Sequence, residues 1–310
     1  MSTATVDSMV TIKSREKMSS IDWTTRPGLP FTFSFEIIDN IDERIKSLGD
    51  SYNLWIVCSL AYVFIIFTLQ SSMKSRSSYS LRLPLILWNF GLTIFSLATV
   101  LRLGPDLLSN LNNKGLFATF CDSSSFHFDP RVKVWIWLFS LSKLVEFGDT
   151  FFIVLRKQSL IFLHWFHHAI TLLYTMFAIG FYLPAYARWF MTINAAIHTL
   201  MYGYYAARAA RIRFPKFVNM SITSLQIIQM IAGLAINGTT FYHQMTSSSE
   251  CDGHPNASIF GLAIYTSFFI LFCQFFIRSY MAPKSYTKSK LISDSDNNNL
   301  NYSNGTKKLQ

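Results

Sequence analysis

Charge is what this chain has least of. Only 14% of its 310 residues are Asp, Glu, Lys or Arg, against about 25% in ordinary soluble domains. Acidic residues are the scarcer sign, 17 against 27 basic ones. Four cysteines in a chain this long exclude a disulfide-stapled mini-protein. With 13 Gly and 9 Pro, it is neither collagen-like nor a Pro/Gly-rich disordered polymer. The start, MSTATVDSMV, carries no secretory signal, and no internal repeat is visible. What is abundant is apolar. Hydrophobic residues make up 51% of the chain and aromatics 16%, with 29 Phe, and the mean hydropathy is +0.28. Such a chain has too little polar surface to cover itself in water, so the expected class is an integral membrane protein.

A membrane-spanning helix needs roughly 20 mostly apolar residues. Seven runs qualify: 52–70, 83–101, 134–155, 160–180, 182–206, 217–240 and 258–277. They read as helices, because lipid admits only helices and closed barrels, and ten-residue alternation is not the pattern here. The expectation is an all-α integral membrane protein. It has a lumenal segment 1–50, a seven-span domain 51–281, and a Ser/Asn/Lys-rich disordered cytosolic tail 282–310.

Lys and Arg set the orientation. Lys74, Arg76 and Arg82 lie between spans one and two, and Arg156 and Lys157 between three and four. Arg208, Arg211, Arg213 and Lys216 lie between five and six, and none of these three segments holds Asp or Glu. The opposite loops are mixed in sign. The basic side is therefore expected to be cytosolic, with the C-terminus cytosolic and the N-terminus lumenal. The net charge of +10 is this bias and not a nucleic-acid surface. Cys121 and Cys251 fall on the lumenal side, where either a disulfide or two free thiols is compatible with the spacing. The sequons Asn237-Gly-Thr and Asn256-Ala-Ser sit near the same face, close to the membrane. Lys307 and Lys308, third and fourth from the end, resemble a dilysine retrieval signal of endoplasmic-reticulum proteins.

Ionisable groups inside spans are costly and are functional candidates by default. Lys143, Glu146 and Thr150 share one face of span three, with Asp149 beside them. His164, His167 and His168 share one face of span four. Asn194, His198, Tyr202 and Tyr205 line span five, and Thr223, Gln226 and Gln229 line span six. Counted from the cytosolic ends of their spans, Asp149, His167, His198 and Gln226 lie six to nine residues in. At about 1.5 Å per residue this is one layer roughly 9–14 Å deep. A layer of hydrogen bonds that merely holds helices together needs fewer histidines.

Two chemistries fit this set. A metal is the first, since His-x-x-His-His also occurs in membrane di-iron desaturases and hydroxylases. Those resemble a scheme of about eight His. Here only His164, His167, His168 and His198 are on the reactive side, with His127, His243 and His254 on the other. The second is acyl transfer through a His nucleophile, since no Cys lies in the layer. Neutral imidazole attacks a thioester, and neighbouring His and Asn bind the oxyanion or move protons. A seven-span transporter is the alternative from another class, but no repeat symmetry or broken-helix signal supports it.

The motif series itself is informative. Lys143-x-x-Glu146-x-x-Asp149-Thr150 is followed by His164-Trp-Phe-His167-His168. Then come Asn194-x-x-x-His198-x-x-Met201-Tyr202-x-Tyr204-Tyr205 and Thr223-x-x-Gln226-x-x-Gln229. In order and spacing these resemble the motifs of the very-long-chain fatty acid elongases, the ELO family of condensing enzymes, over about residues 35–285. The resemblance implies an endoplasmic-reticulum protein of seven helices, with helices two to seven forming a barrel around an acyl tunnel open to the cytosol. It implies condensation of a fatty acyl-CoA with malonyl-CoA, both substrates, with no cofactor and no metal. His167 would be the nucleophile and His198 its partner. His168 and His164 would orient the site or assist decarboxylation. Lys143, Glu146, Asp149, Thr150, Asn194, Tyr202, Tyr205, Gln226 and Gln229 would shape it. Implied partners are the ketoacyl-CoA reductase, dehydratase and enoyl reductase of the cycle, membrane lipid and a second copy of the chain. The stretches 156–165, with Trp165 after the first His, and 189–194 resemble the branch acting on saturated and monounsaturated acyl chains near sixteen carbons, with branched chains left open.

Overall fold

A computed structural model describes residues 31–124, 129–246 and 251–281. The segments 1–30 and 282–310, with Lys307 and Lys308, and His127 lie outside the described residues. Among the described residues the structure is all helical, with no strand. After a short 3₁₀ turn, Ser34–Glu36, come α1 Ile41–Asp50, α2 Tyr52–Met73, α3 Arg82–Cys121, α4 Pro130–Val145 and α5 Gly148–Leu155. Then follow α6 Phe162–Phe177, α7 Ala187–Ala209, α8 Lys216–Thr246 and α9 Pro255–Phe276.

The helices are built inside-out relative to a soluble bundle. On α2, Trp55, Ser59, Tyr62 and Ile66 point inward, while Leu54, Val57, Leu60 and Phe64 are exposed. On α3, Leu83, Leu87, Phe90, Ile94, Leu97 and Leu101 form an exposed stripe at helical spacing. Continuous apolar stripes of this length suit lipid, not water. Four helices are long and apolar enough to cross a membrane: Tyr52–Met73, Arg82–Cys121, Lys216–Thr246 and Pro255–Met281. The other three expected spans carry Lys143–Thr150, His164–His168 and Asn194–Tyr205, and polar side chains and breaks shorten them or lower their apolar character. The third is split into α4 and α5 at Glu146–Phe147. There Phe147 N–H reaches Leu144 O at 3.2 Å and Asp149 N–H reaches Glu146 O at 3.1 Å, a tighter winding than an α-helix. The fourth is α6 followed by a π-turn, Ala178–Tyr182, and Leu183 in the left-handed region at φ 36°. Pro184 then prevents the helix from continuing, and α7 starts afresh.

Packing is sequential around the molecule: α3 lies on α7, α7 on α8, α8 on α9, α9 on α6, α6 on α4, and α4 back on α3. α2 packs outside this set, against α5 and α6. The segment before α2 is polar in composition yet docked. Ile41, Ile45 and Leu48 of α1 are buried at i, i+4 and i+7, with Asp42, Glu43 and Arg44 outward.

Ion pairs and charged hydrogen bonds cluster at one end of the helices. Glu36 is fully buried and accepts from Arg102 at 2.5 Å and from Trp135 Nε1 at 2.6 Å. The Arg102 guanidinium lies over Phe31 and Phe33 at 4.8 and 4.9 Å. Lys133 meets Asp42 at 2.6 Å, and Arg188 donates to Asp122 O at 3.0 Å. At the same end a disulfide joins Cys121, the last residue of α3, to Cys251 ahead of α9. Asp252 seats the junction, accepting from the Ser123 N–H and hydroxyl at 2.9 and 2.8 Å. Asn237 of the first sequon is fully buried within α8 and donates to Gly233 O, so in the folded chain it is closed to modification.

Candidate active site

The site lies at the other end, in a cavity of about 520 Å³. Of the expected residues, His164, His167, His168, Asn194, His198, Asp149, Tyr202, Tyr205, Gln226 and Gln229 line it. Lys143 and Thr150 bond the lining residues Asn194 and His164, and Glu146 pairs with Lys143 behind them. Thr223 also lines it and shares a hydrogen bond with Tyr280.

Hydrogen bonds fix His198 and His164, and two networks run beside the histidines. In the first, Lys143 Nζ donates to Glu146 Oε1 at 2.6 Å and to Asn194 Oδ1 at 3.1 Å. This fixes the amide, whose Nδ2 faces His198 Nε2 at 3.3 Å. His198 Nδ1 lies 3.7 Å from Glu146 Oε1, so the four residues close a ring. Lys143 and Glu146 are both buried, and their mutual pairing offsets the penalty of removing each charge from water. The Phe139 ring covers the ammonium at 4.2 Å.

The second network centres on Asp149. Trp88 Nε1 donates to Oδ1 and Tyr202 Oη to Oδ2, both at 2.7 Å. His168 Nε2 is 4.0 Å from the same Oδ2. Its ring is 4.5 Å from the His164 ring, and His164 shares a hydrogen bond of 3.0 Å with Thr150, which also bonds Tyr62 at 2.7 Å. Trp88 reaches Asp149 because its indole lies flat on Gly148, where a Cβ would overlap the ring.

His167 stands apart from both networks. It makes no hydrogen bond to the protein among the described residues. Its ring is held by contact with Phe268 at 4.8 Å and lies edge-on to His168 at 5.4 Å. It lines the main cavity and also a narrower arm, bounded by Thr171, Tyr174, Ile179, Tyr186 and Phe268, which runs from it toward the ionic end. Asn194 and Gln229 likewise face both spaces. At the opposite mouth the cavity is lined by Arg156, Gln158 and Arg208. Arg156 and Gln158 also line a polar basin of about 340 Å³ with Ser78, Tyr79, Ser80 and Arg82. Among the described residues, no three of His, Cys, Asp and Glu are grouped as metal ligands would be.

Reading the sequence overlooked Trp88, Tyr62 and the mouth residues. An indole or phenol in an apolar run carries no signal of its own. Arg156 and Arg208 were visible only as topological charges.

This is an all-helical, multi-pass membrane enzyme with a buried histidine site. The chain belongs to the ELO family, described as the GNS1/SUR4 family, which matches residues 47–288, and it is an enzyme of the fatty acid elongase class. It is 41% identical over 280 residues to very long chain fatty acid elongase 6 of Drosophila melanogaster, covering 88% of this chain and 87% of that one. It is 40% identical to very long chain fatty acid elongase 3 of Homo sapiens, over 75% of this chain and 84% of that one. Long chain fatty acid elongase 1 of Caenorhabditis elegans is 35% identical, over 83% and 88%.

Proposed function

We propose that the chain is the condensing enzyme of fatty acyl elongation, joining a long-chain acyl-CoA to malonyl-CoA with release of CO2 and CoA. The product is a 3-oxoacyl-CoA two carbons longer. The observation that carries this reading is His167: an imidazole free of hydrogen bonds to the protein, at the junction of a polar-mouthed cavity and a narrow arm. The names of the relatives, all fatty acid elongases, support the same class of substrate.

The chemistry follows from the neighbours. Neutral His167 attacks the thioester carbon, and CoA thiolate leaves once the tetrahedral oxyanion collapses, giving an acyl-imidazole. The Asn194 amide and His198 lie where they can stabilise the oxyanion and move a proton. The Lys143–Glu146 pair keeps Asn194 and His198 in register. Malonyl-CoA then loses CO2, and its enolate carbon attacks the acyl carbon. The imidazole is released and the 3-oxoacyl-CoA formed. His168 and His164, oriented by Asp149 and Thr150, serve the decarboxylation end. Arg156 and Arg208 at the mouth suit the phosphates of CoA. Nothing in this route calls for a metal.

The cyclic packing of α3, α7, α8, α9, α6 and α4 supports a six-helix barrel with α2 outside, and hence seven spans once α4 and α5 are counted as one. The basic inter-span segments support a mouth on the cytosol and the disulfide in the lumen. Lys307 and Lys308 support the endoplasmic reticulum. There the reductases and dehydratase of the cycle would take up the product. The substrate read from residues 156–165 and 189–194 is saturated or monounsaturated, near sixteen carbons.

Purified protein given palmitoyl-CoA and labelled malonyl-CoA, without NADPH, is expected to form a 3-oxo C18 acyl-CoA and release CO2. No product from C16, C18 or polyunsaturated acyl-CoAs, on folded protein, overturns the reading. The alternatives, a di-iron desaturase and a transporter, are then separated by iron content and uptake assays.

A further inference from the structure

Helix α2 lies outside the ring of packed helices, yet one of its side chains reaches the site. Tyr62 is buried on its inward face, with Ser59 and Ile66 one turn to either side. The Ser59 hydroxyl donates to Ala169 O of α6 at 3.4 Å, which seats the helix. The Tyr62 ring stacks on Phe147 with centroids 3.9 Å apart and planes 16° from parallel. Phe147 lies at the break between α4 and α5. From this stack the phenol oxygen reaches Thr150 Oγ1 at 2.7 Å. Thr150 Oγ1 in turn lies 3.0 Å from His164 Nε2. Side chains of α2, α5 and α6 thus form one hydrogen-bonded chain, and it ends on a histidine that lines the cavity.

Counting protons gives the chain its direction. Among the described residues neither hydroxyl has another hydrogen-bond partner, and both Tyr62 and Thr150 are buried. A buried O–H left without an acceptor is costly. If Tyr62 donates to Thr150 and Thr150 donates to His164 Nε2, both hydroxyl protons are used. In every other arrangement one of them has no acceptor in the protein. Nε2 is therefore the acceptor, and the one proton of neutral His164 sits on Nδ1. Among the described residues no protein group is bonded to that nitrogen. It is left to whatever enters the cavity.

We propose that Tyr62 is a positioning residue of the condensation: through Thr150 it fixes the tautomer of His164, so that Nδ1–H is presented to the thioester oxygen of malonyl-CoA. This rests on the condensing-enzyme reading and adds to it what the outer helix does for the chemistry. When the bond from the malonyl α-carbon to its carboxylate breaks, CO2 leaves and the electron pair spreads onto the thioester oxygen. A donor fixed at that oxygen stabilises the enolate without giving up its proton. The enolate carbon then attacks the acyl carbon, as above. Formation of the acyl-imidazole at His167 precedes this step and does not use His164 Nδ1.

The test separates the two steps on full-length purified protein. One assay follows condensation of palmitoyl-CoA with saturating malonyl-CoA. The other follows, by mass, the adduct that palmitoyl-CoA alone leaves on the protein. Tyr62→Phe keeps the stack on Phe147 and removes only the donor. It is expected to lower kcat for condensation about 10–100-fold, the size of losing a partner that orients an active histidine, with the rate of adduct formation within about twofold of wild type. Thr150→Val is expected to show the same split. The double variant should be no slower than Thr150→Val alone, because both changes break one chain. Thr150→Ser, which keeps the hydroxyl, should recover most of the rate that Thr150→Val loses. Tyr62→Phe decides alone should Thr150→Val fail to fold. Condensation at the wild-type rate in Tyr62→Phe overturns the proposal, and so does an equal loss in both assays, which is what a merely structural role predicts. Wild type that forms no 3-oxoacyl-CoA overturns the condensing-enzyme reading instead.

Discussion

At the scale of single residues, the site separates a group kept free from groups kept fixed. His167 makes no hydrogen bond to the protein among the described residues, whereas His164 and His198 share hydrogen bonds with Thr150 and Asn194, and His168 lies 4.0 Å from the Asp149 carboxylate. If His167 carries the acyl group, His167→Ala loses turnover and also the mass adduct that palmitoyl-CoA alone leaves on wild type. Retained turnover removes His167 from that role. His198→Ala is expected to lose about 10²–10⁴-fold in rate, the size of a positioned acid–base group, while still forming some adduct, so the two variants are told apart by mass. A different experiment addresses the buried pair. Lys143→Met leaves Glu146 charged and alone, and is expected to cost about 3–5 kcal/mol. Lys143→Met with Glu146→Gln is expected to cost less than the sum of the singles, read from thermal unfolding in detergent. An additive result would mean that the 2.6 Å contact carries no coupling. These residues were legible in the sequence because an ionisable group in an apolar run has no cheap explanation. Trp88 and Tyr62 were not. They act on Asp149 and Thr150 from other helices, and aromatic residues are unremarkable in spans.

At the scale of elements, periodicity located the helices but not their breaks. The third expected run, 134–155, was read as one span. In the structure it turns tightly at Glu146–Phe147, where the Ser142 hydroxyl bonds both Phe139 O and Glu146 Oε1 and so competes with the regular ladder. That break lets Glu146 face Lys143 and His198 while Asp149 faces Trp88 and Tyr202. The second run was read to residue 101, but helix continues well past it, places Arg102 against Glu36, breaks at Gly115 (φ 79°) and resumes to Cys121. No hydropathy window sees that extension, because it leaves the apolar region. Polar composition likewise hid the docking of α1. The disulfide ties the end of α3 to the start of α9 across 130 residues of chain. Closing a loop of that length restricts the unfolded chain, and replacing both Cys121 and Cys251 with Ser is expected to cost about 2–4 kcal/mol. The site is at the other end of the helices, so the turnover of the folded double variant should stay within about twofold of wild type on the ordinary additivity of distant sites. A lowered melting temperature with intact turnover is the expected pair of results. Intact stability would mean that the Asp252 and Ser123 contacts suffice without the covalent link.

At the scale of the whole molecule, orientation and catalysis depend on the same side chains. Arg82, Arg156 and Arg208 belong to the basic inter-span segments that predict a cytosolic face, and they also line the cavity mouth or the basin beside it. On the proposed reading a polyanionic thioester reaches His167 from the side on which that mouth opens, while the contacts of Glu36 with Arg102, Lys133 with Asp42 and Arg188 with Asp122 cluster at the other end. The proposed orientation puts Cys121 and Cys251, at the end away from the mouth, in an oxidising space that suits their disulfide. Sealed microsomes carrying the protein with a C-terminal epitope, and a second form with a glycosylation acceptor inserted between Ser124 and Asp129, test both at once. The epitope is expected to be protease-accessible without detergent and the inserted acceptor to be glycosylated. The converse pattern would put the mouth in the lumen, away from cytosolic acyl-CoA, and would overturn both the orientation and the route to His167.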